Sequence, residues 1–160
     1  MNEKILLIYY SRTGTTRKVA EHIQQLINCD IEEIIDTKQR YGILGYIGAG
    51  RDAALKKTTE IEKIKFKPGY YDILIIGTPV RDFAISPAIR TYIQKNKTDF
   101  PPKIIFYCTT GNSGEREAFQ EIIYICSKTP IGTIYFKTKE IIKNKFQDRL
   151  KKFLEETIGF

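Results

Sequence analysis

The sequence predicts an α/β fold in which helices cover both faces of a buried parallel sheet. Short apolar segments alternate along the chain with longer segments of helical periodicity, as is typical of βαβ units. Residues 4–10 are almost continuously apolar, which is expected of a strand that is buried on both faces. Right-handed crossovers fold such a pattern into a three-layer α/β/α sandwich with five parallel strands. We expect the 160 residues to form a single domain spanning residues 1–160.

The first half of the chain supplies two strands and a long connection. The strand at 4–10 leads into a predicted helix over residues 15–27, whose apolar residues fall on one helical face. Residues 29–35 predict a second, shorter strand. In the connection 36–70 that follows, four glycines keep the first part irregular, and residues 51–63 predict a helix.

The second half repeats the alternation of strand and helix three times. The predicted strands are 72–76, 103–108 and 132–136, and the predicted helices are 87–95, 115–127 and 139–157. Pro87 suits the first turn of its helix, where a missing N–H group costs nothing. In a doubly wound sheet the ligand site lies at the carboxyl ends of the strands, at the point where the strand order reverses. The loops after strands one, three and four are therefore expected to hold the functional residues.

The charge balance is basic, with a net charge of +7 and a pI near 9.2. The basic residues are spread along the chain, so the charge indicates either solubility alone or a preference for anionic partners. No nucleic-acid-binding motif is present, and we expect no nucleic acid partner. No segment approaches the roughly 18 apolar residues of a membrane span, and the amino terminus does not resemble a signal peptide. We therefore expect a cytoplasmic protein without a membrane partner.

The cysteines and the histidine do not form a metal-binding pattern. Cys29, Cys108 and Cys126 have no metal-site spacing, and His22 is the single histidine. An odd number of cysteines without a secretion signal is typical of reduced thiols. We expect the three cysteines to be buried packing residues and no residue to bind a metal.

The loop after strand one has the features of a phosphate-binding loop. It follows a buried strand and opens a helix, where unpaired N–H groups and the positive end of the helix dipole favour an anion. Four hydroxyls lie within six residues, whereas a helix cap needs only one. Neither GxxxxGK[ST] nor GxGxxG is present, which excludes the nucleoside-triphosphate and dinucleotide fingerprints. The predicted binding residues here are Ser11, Arg12, Thr13, Gly14, Thr15 and Thr16.

This loop resembles the loop that binds the phosphate of flavin mononucleotide (FMN) in flavodoxins. The positions that define the family run (T/S)-x-T-G-x-T are Ser11, Thr13, Gly14 and Thr16. The resemblance implies a flavodoxin-like fold with the strand order 2-1-3-4-5 and FMN as the cofactor. Residues 41–53 are also similar to a segment found in a subset of flavodoxin-like proteins.

Two further loops are similar to the flavin-contacting loops of the same family. Residues 77–87 match the run G-(T/S)-P-V that lies against the flavin ring in flavodoxins, and Phe83 there either stacks on the ring or is an ordinary packing aromatic. Residues 109–114 resemble the third flavin-contacting loop. The contacts that the resemblance implies are Thr78, Pro79, Val80, Arg81 and Phe83 in the second loop, and Thr109, Thr110, Gly111, Asn112 and Gly114 in the third.

The resemblance implies an FMN-dependent electron carrier in which no residue acts as an acid or base. Because this chain is basic, its expected partner is an acidic redox protein. A cationic Arg81 near the ring would favour the negatively charged, fully reduced flavin. Two alternatives are an FMN-dependent reductase of quinones with NAD(P)H, in which Arg81 and Arg90 bind an anionic substrate, and a binding module that has lost FMN. The oligomeric state stays open.

Overall fold

The computed structural model describes residues 2–38 and 57–160. The strands are β1 (Ile5–Tyr9), β2 (Asp30–Glu33), β3 (Ile73–Arg81), β4 (Ala84–Ile85), β5 (Lys103–Thr110) and β6 (Gly132–Lys137). The helices are α1 (Thr15–Ile27), α2 (Pro87–Asn96), α3 (Glu115–Cys126), α4 (Thr138–Ile142) and α5 (Gln147–Ile158), with short 3₁₀ turns at Pro68–Tyr70 and Lys97–Asp99. None of the helices in these two ranges has the length and apolar character that a bilayer crossing requires.

The sheet order is β2-β1-β3-β5-β6, and all neighbouring strands on this path are parallel. The predicted order 2-1-3-4-5 is confirmed, because β5 and β6 are the fourth and fifth predicted strands. The short strand β4, which the sequence did not predict, pairs antiparallel with the end of β3.

Helices cover both faces of the sheet, which confirms the three-layer sandwich. Successive residues of a strand point to opposite faces, so Leu6 and Leu7 of β1 enter different cores. Leu6 packs in the core that α2 and α3 cover, whereas Leu7 packs in the core that α1, α4 and α5 cover. Because both faces are covered, both alternating sets of strand residues are apolar, and this gives the continuous apolar runs in the sequence.

The connection before β3 differs from its prediction. Residues 57–63, the described part of the helix predicted over 51–63, contain no helix. They run extended beside residues 35–37, where Asp36 forms a β-bridge with Ile61 and the Glu62 N–H donates to the carbonyl of Ile35 at 2.9 Å. Pairing with a distant segment therefore replaces the local helical preference. Residues 41–53 lie outside the described residues.

The closing segment contains two helices instead of the single helix predicted over 139–157. The helix is interrupted between α4 and α5, where Asn144 adopts a left-handed conformation with φ of 55°. The break turns Phe146 into the core, where it is 1% exposed and meets the rings of Phe136 and His22 edge to face. The burial of this aromatic side chain explains why the helix does not continue through residues 143–146.

Candidate functional site

Two adjoining pockets lie at the carboxyl edge of the sheet. The smaller has a volume of about 70 Å³ and the larger, an open cleft, has a volume of about 710 Å³. The second value falls in the range of roughly 300–1,000 Å³ that is usual for small-molecule sites. Both pockets are lined by Thr13, Thr15, Pro79, Val80 and Arg81, so they adjoin and share a wall. The loops after β1, β3 and β5 thus converge where the sheet order reverses.

The amino terminus of α1 faces the smaller pocket without a side-chain cap. Gly14 precedes the helix in a left-handed conformation with φ of 99°, and its own N–H donates to Ser11 Oγ at 3.1 Å. The first hydrogen bond of the helix runs from the Lys18 N–H to the Gly14 carbonyl at 3.0 Å. The N–H groups of residues 15–17 therefore have no acceptor within the helix. Together with the helix dipole, they favour a negatively charged group at this point.

A buried hydroxyl network ties this loop to β5. The hydroxyls of Thr16 and Thr109 are 2.8 Å apart, and the Tyr107 hydroxyl donates to the Thr16 carbonyl at 3.1 Å. Burial raises the pKa of Tyr107 well above its ordinary value, so this phenol stays a neutral donor. Gly77 of β3 makes room for the ring, because a Cβ there would lie 2.1 Å from Tyr107 Cζ. The loops after β1 and β5 are therefore held in a fixed relation to each other.

The four hydroxyls of the first loop divide into two pairs. Ser11 and Thr16 are buried and bond inside the protein, to the Gly14 N–H and to Thr109. Thr13 and Thr15 line both pockets, so their hydroxyls are the ones available to a ligand. The first pair shapes the loop, and the second is exposed to the site.

The second loop is a β-hairpin with a strained turn. Arg81 of β3 pairs with Ala84 of β4, and the two residues between them, Asp82 and Phe83, have φ values of 48° and 62°. Two left-handed residues in a two-residue loop are the mark of a type I′ turn, which normally uses Asn and Gly. A bulky residue is rarely found in this conformation, and such strain clusters at functional sites. Phe83 is 57% exposed and lines the larger cleft.

The base of the hairpin is anchored by buried polar groups. The Ser86 N–H donates to the Thr78 hydroxyl at 3.2 Å, and Ser86 Oγ in turn accepts from the Ile89 N–H to cap α2. Arg90 is 2% exposed and binds Glu121 of α3. Its guanidinium is thus held inside the protein, and the assignment of Arg90 to an anionic substrate is wrong.

The third loop closes the cleft on the side of β5. The Thr110 hydroxyl donates to the Ser113 carbonyl at 2.7 Å, and the Thr138 hydroxyl donates to the Thr110 carbonyl at 3.3 Å. Gly114 has a φ of 106°, and a Cβ there would lie 2.9 Å from Val80 Cγ1. This glycine therefore lets the third loop pack directly behind the hairpin.

The structure brings most of the predicted site residues together at the two pockets. Those that line them are Arg12, Thr13, Thr15, Thr16, Pro79, Val80, Arg81, Phe83, Thr109, Thr110, Gly111 and Asn112. The predicted residues that line neither pocket are Ser11, Gly14, Thr78 and Gly114. These four residues contribute to the conformation of the loops without lining the pockets. Their contact with a cofactor, like that of the other twelve, stays a prediction.

One wall of the larger cleft was missed at the sequence level. Thr138, Lys139 and Ile142, all from the short helix after β6, line the cleft. The signal was available, since the carboxyl end of the fifth strand lies on the same edge of the sheet as the others. With Arg12 and Arg81, Lys139 gives the described lining three cationic side chains against the single carboxylate of Asp82.

The fold and this site define a class: an α/β sandwich with an uncapped helix amino terminus after its first strand and a cleft at its carboxyl edge. The family model for flavodoxin matches residues 4–157, and the chain belongs to the flavodoxin family. No curated protein sequence matches the chain significantly.

Solved structures of the same fold include several flavoproteins. A flavoprotein from Lactobacillus acidophilus NCFM, solved in complex with FMN, is 20% identical, with a TM-score of 0.73 over 89% of this chain and 98% of that one. A protein from Bacteroides eggerthii DSM 20697 that is classed as a flavoprotein is 19% identical, with a TM-score of 0.76 over 98% of both chains. An NADH:FMN oxidoreductase is 14% identical, with a TM-score of 0.57 over 98% of this chain and 88% of that one. At these identities the likeness establishes the fold.

Proposed function

We propose that this protein holds FMN at the carboxyl edge of its sheet and acts as an electron carrier. The observation that supports this most directly is the pair of adjoining pockets, the smaller at the amino terminus of α1 and the larger at the tip of the strained hairpin. One end suits a phosphate, and the other suits a planar, largely apolar ring. The flavoprotein of the same fold that was solved with FMN supports the choice of ligand.

The donors at the smaller pocket fit a phosphate group. The N–H groups of Thr15 and Thr16 and the hydroxyls of Thr13 and Thr15 are donors at this pocket, and Arg12 lines it with a positive charge. Hydrogen bonds to a charged acceptor each contribute roughly 1.5–3 kcal/mol. A phosphate oxygen therefore gains more from this loop than a neutral hydroxyl would.

The walls of the larger cleft fit the ring end of the same molecule. Pro79 and Val80 line the cleft with apolar side chains, and the loop 109–113 lines it with polar residues and a glycine. Bound FMN would supply the electron-transfer chemistry, and the protein would orient it, limit water access and set its potential. Arg81 lines both pockets. Its positive charge is expected to make the final reduction easier, and an unchanged second midpoint potential in Arg81→Ala would contradict this.

The test is retention of flavin by the purified protein. The absorption spectrum is recorded alone and after FMN is added and removed by desalting, and riboflavin is titrated in parallel because it lacks the phosphate. In the double variant Thr13→Val, Thr15→Val we expect FMN to bind at least about 100-fold more weakly, because two charge-assisted bonds of about 1.5 kcal/mol or more each are lost. Riboflavin lacks the phosphate and is expected to lose much less affinity, although both threonines also line the larger cleft.

Thr133→Val is the matched control for this variant. Thr133 is an exposed residue near the start of β6, at the opposite end of the strand from the cleft. The control is expected to bind both flavins like the wild type. Equal loss of FMN and riboflavin in the double variant would contradict the phosphate assignment. If the wild type retains no flavin at all, the proposed function is wrong and a binding module without FMN becomes the better description.

A reductase is the second candidate, because the larger cleft is open and the NADH:FMN oxidoreductase has the same fold. A reductase turns over NAD(P)H with a quinone in the steady state, whereas a carrier alone turns over negligibly. Sustained oxidation of NAD(P)H by the FMN-loaded protein would favour the reductase.

A further inference from the structure

The mouth of the larger cleft has an exposed apolar pair. Phe83 at the hairpin tip is 57% exposed and Ile142 at the end of α4 is 65% exposed, and both line the same cleft. Large apolar side chains that remain this open at a candidate site indicate a contact surface. Lys139 also lines this cleft, and Lys143 and Lys145 come one and three residues after Ile142. We call these five residues the cleft rim.

The charge of the cleft rim is strongly positive. All three of its lysines are exposed. Glu140 is the one acid in the sequence 137–145, and its oxygens accept from Arg149 at 2.6 Å and from the Lys137 N–H at 3.1 Å. Its carboxylate is thus directed to partners other than the rim lysines. On the hairpin side, Arg81 adds a positive charge and Asp82, which directly precedes Phe83, adds the one carboxylate of the described cleft lining.

We propose that the cleft rim is the docking surface for an acidic redox protein. This proposal rests on the proposed function, since the docked partner would exchange one electron with the FMN held in the cleft. The carrier is oxidised by one electron as the partner's metal centre is reduced, or the reverse. An apolar centre with a charged border is the usual anatomy of a protein interface. Complementary charge steers the encounter, and a small interface permits rapid release.

A second basic surface of the molecule provides the control. Lys63, Lys65 and Lys67 are also exposed, but they lie on the segment that leads into the 3₁₀ turn Pro68–Tyr70, before the amino end of β3. This segment lies beside β2, because the Lys65 N–H donates to Glu32 Oε1 at 2.6 Å, and β2 and β6 are at opposite ends of the strand order. None of the three lysines lines the two pockets. Reversing these three charges changes the net charge by the same amount as reversing the three rim lysines. Any difference in partner affinity between the two variants therefore reflects the position of the lysines and not the change in net charge.

The experiment titrates ¹⁵N-labelled protein with an acidic [2Fe–2S] ferredoxin and, separately, with a basic c-type cytochrome at low salt. We expect the ferredoxin to shift the amide signals of residues 81–83 and 139–145. In Lys139→Glu, Lys143→Glu, Lys145→Glu, its affinity should fall about tenfold or more, and in Lys63→Glu, Lys65→Glu, Lys67→Glu less than about twofold. Binding should also weaken steeply as salt is raised.

Three results would overturn the proposal: equal losses in the two variants, signal shifts confined to other surfaces, or tighter binding of the basic cytochrome. The corresponding triple glutamine variant, which removes charge without reversing it, should show an intermediate loss and guards against misfolding of the glutamate variant. The titration is run with and without FMN. The flavin spectrum then reports the proposed function separately, so loss of docking is distinguishable from loss of the cofactor.

Discussion

Replacing Glu121 with alanine tests how the hairpin beside the cleft is held in place. One oxygen of this carboxylate accepts from Arg90 Nε at 2.7 Å and from Nη2 at 2.5 Å, and the other accepts from the Ile85 N–H at 3.2 Å. The Arg90 side chain also donates to the carbonyl of Ile85 at 3.2 Å. These bonds join α2, α3 and the hairpin strand β4, and the two charged side chains are 3% and 5% exposed.

The expected loss follows from this burial. Removing one partner of a buried ion pair costs about 3–5 kcal/mol, because the remaining charge stays desolvated. The Ile85 N–H also loses its acceptor, which costs about 1–3 kcal/mol for a buried group. The two terms overlap, so we expect Glu121→Ala to lower the free energy of unfolding by about 4 kcal/mol. That is a large part of the roughly 5–15 kcal/mol available to a domain.

The assay is urea unfolding followed by circular dichroism, combined with FMN titration of the folded protein. Glu121→Gln keeps an acceptor for the Ile85 N–H and should lose less than the alanine variant. Arg90→Met combined with Glu121→Leu removes both charges and should also lose less than Glu121→Ala alone. FMN affinity is expected to fall in the alanine variant, because the Phe83 turn is then less firmly held.

The reasoning would be refuted by a loss below about 1 kcal/mol in Glu121→Ala, the range of an exposed pair. It would also be refuted if the double variant were less stable than the alanine variant. In either case the ion pair would not be what fixes the hairpin.

Three further predictions concern packing and burial. Gly77→Ala should lower the free energy of unfolding by about 3 kcal/mol, because the new Cβ would lie 2.1 Å from Tyr107 Cζ. Urea unfolding measures this loss, and adding Tyr107→Leu to the same variant should restore part of it. Gly114→Ala, strained by a φ of 106°, should weaken FMN binding in a flavin titration, whereas Gly69→Ala, which lines neither pocket and would make only ordinary contacts with Asp99, should not. Burial raises the pKa of the Cys29 thiol from 9.0 to about 11, so the unfolded chain loses this proton at a lower pH than the folded protein does. The free energy of unfolding should therefore fall as the pH rises from 9 to 11. Urea unfolding at pH 8 and at pH 10.5 checks this, and Cys29→Ala should remove part of the fall.

The sequence by itself determined the order and type of most elements. The apolar runs of β1, β3 and β5 and the one-sided periodicity of α1 are local patterns, and each follows from burial on two faces or on one. The helix over Thr15–Ile27 was predicted with the bounds that the structure has. The position of the cleft also followed, because the carboxyl edge of a doubly wound sheet is fixed by its connectivity.

Only the tertiary structure decided the conformation of segments that pair with residues far away in the sequence. The sequence of residues 57–63 by itself favours a helix, but in the fold these residues pair with residues 35–37. Strand β3 continues to Arg81 because β5 and β4 supply backbone partners for its polar end.

The roles of individual polar side chains were decided in the same way. Thr13 and Thr16 look alike in the sequence, yet only Thr16 lies within reach of the Thr109 hydroxyl, 93 residues away. From the sequence alone Arg90 is a candidate ligand-binding residue, but in the folded protein its guanidinium donates to Glu121. The sequence specifies which groups a chain has, and long-range packing specifies which of them are already satisfied inside the protein and which remain for a ligand.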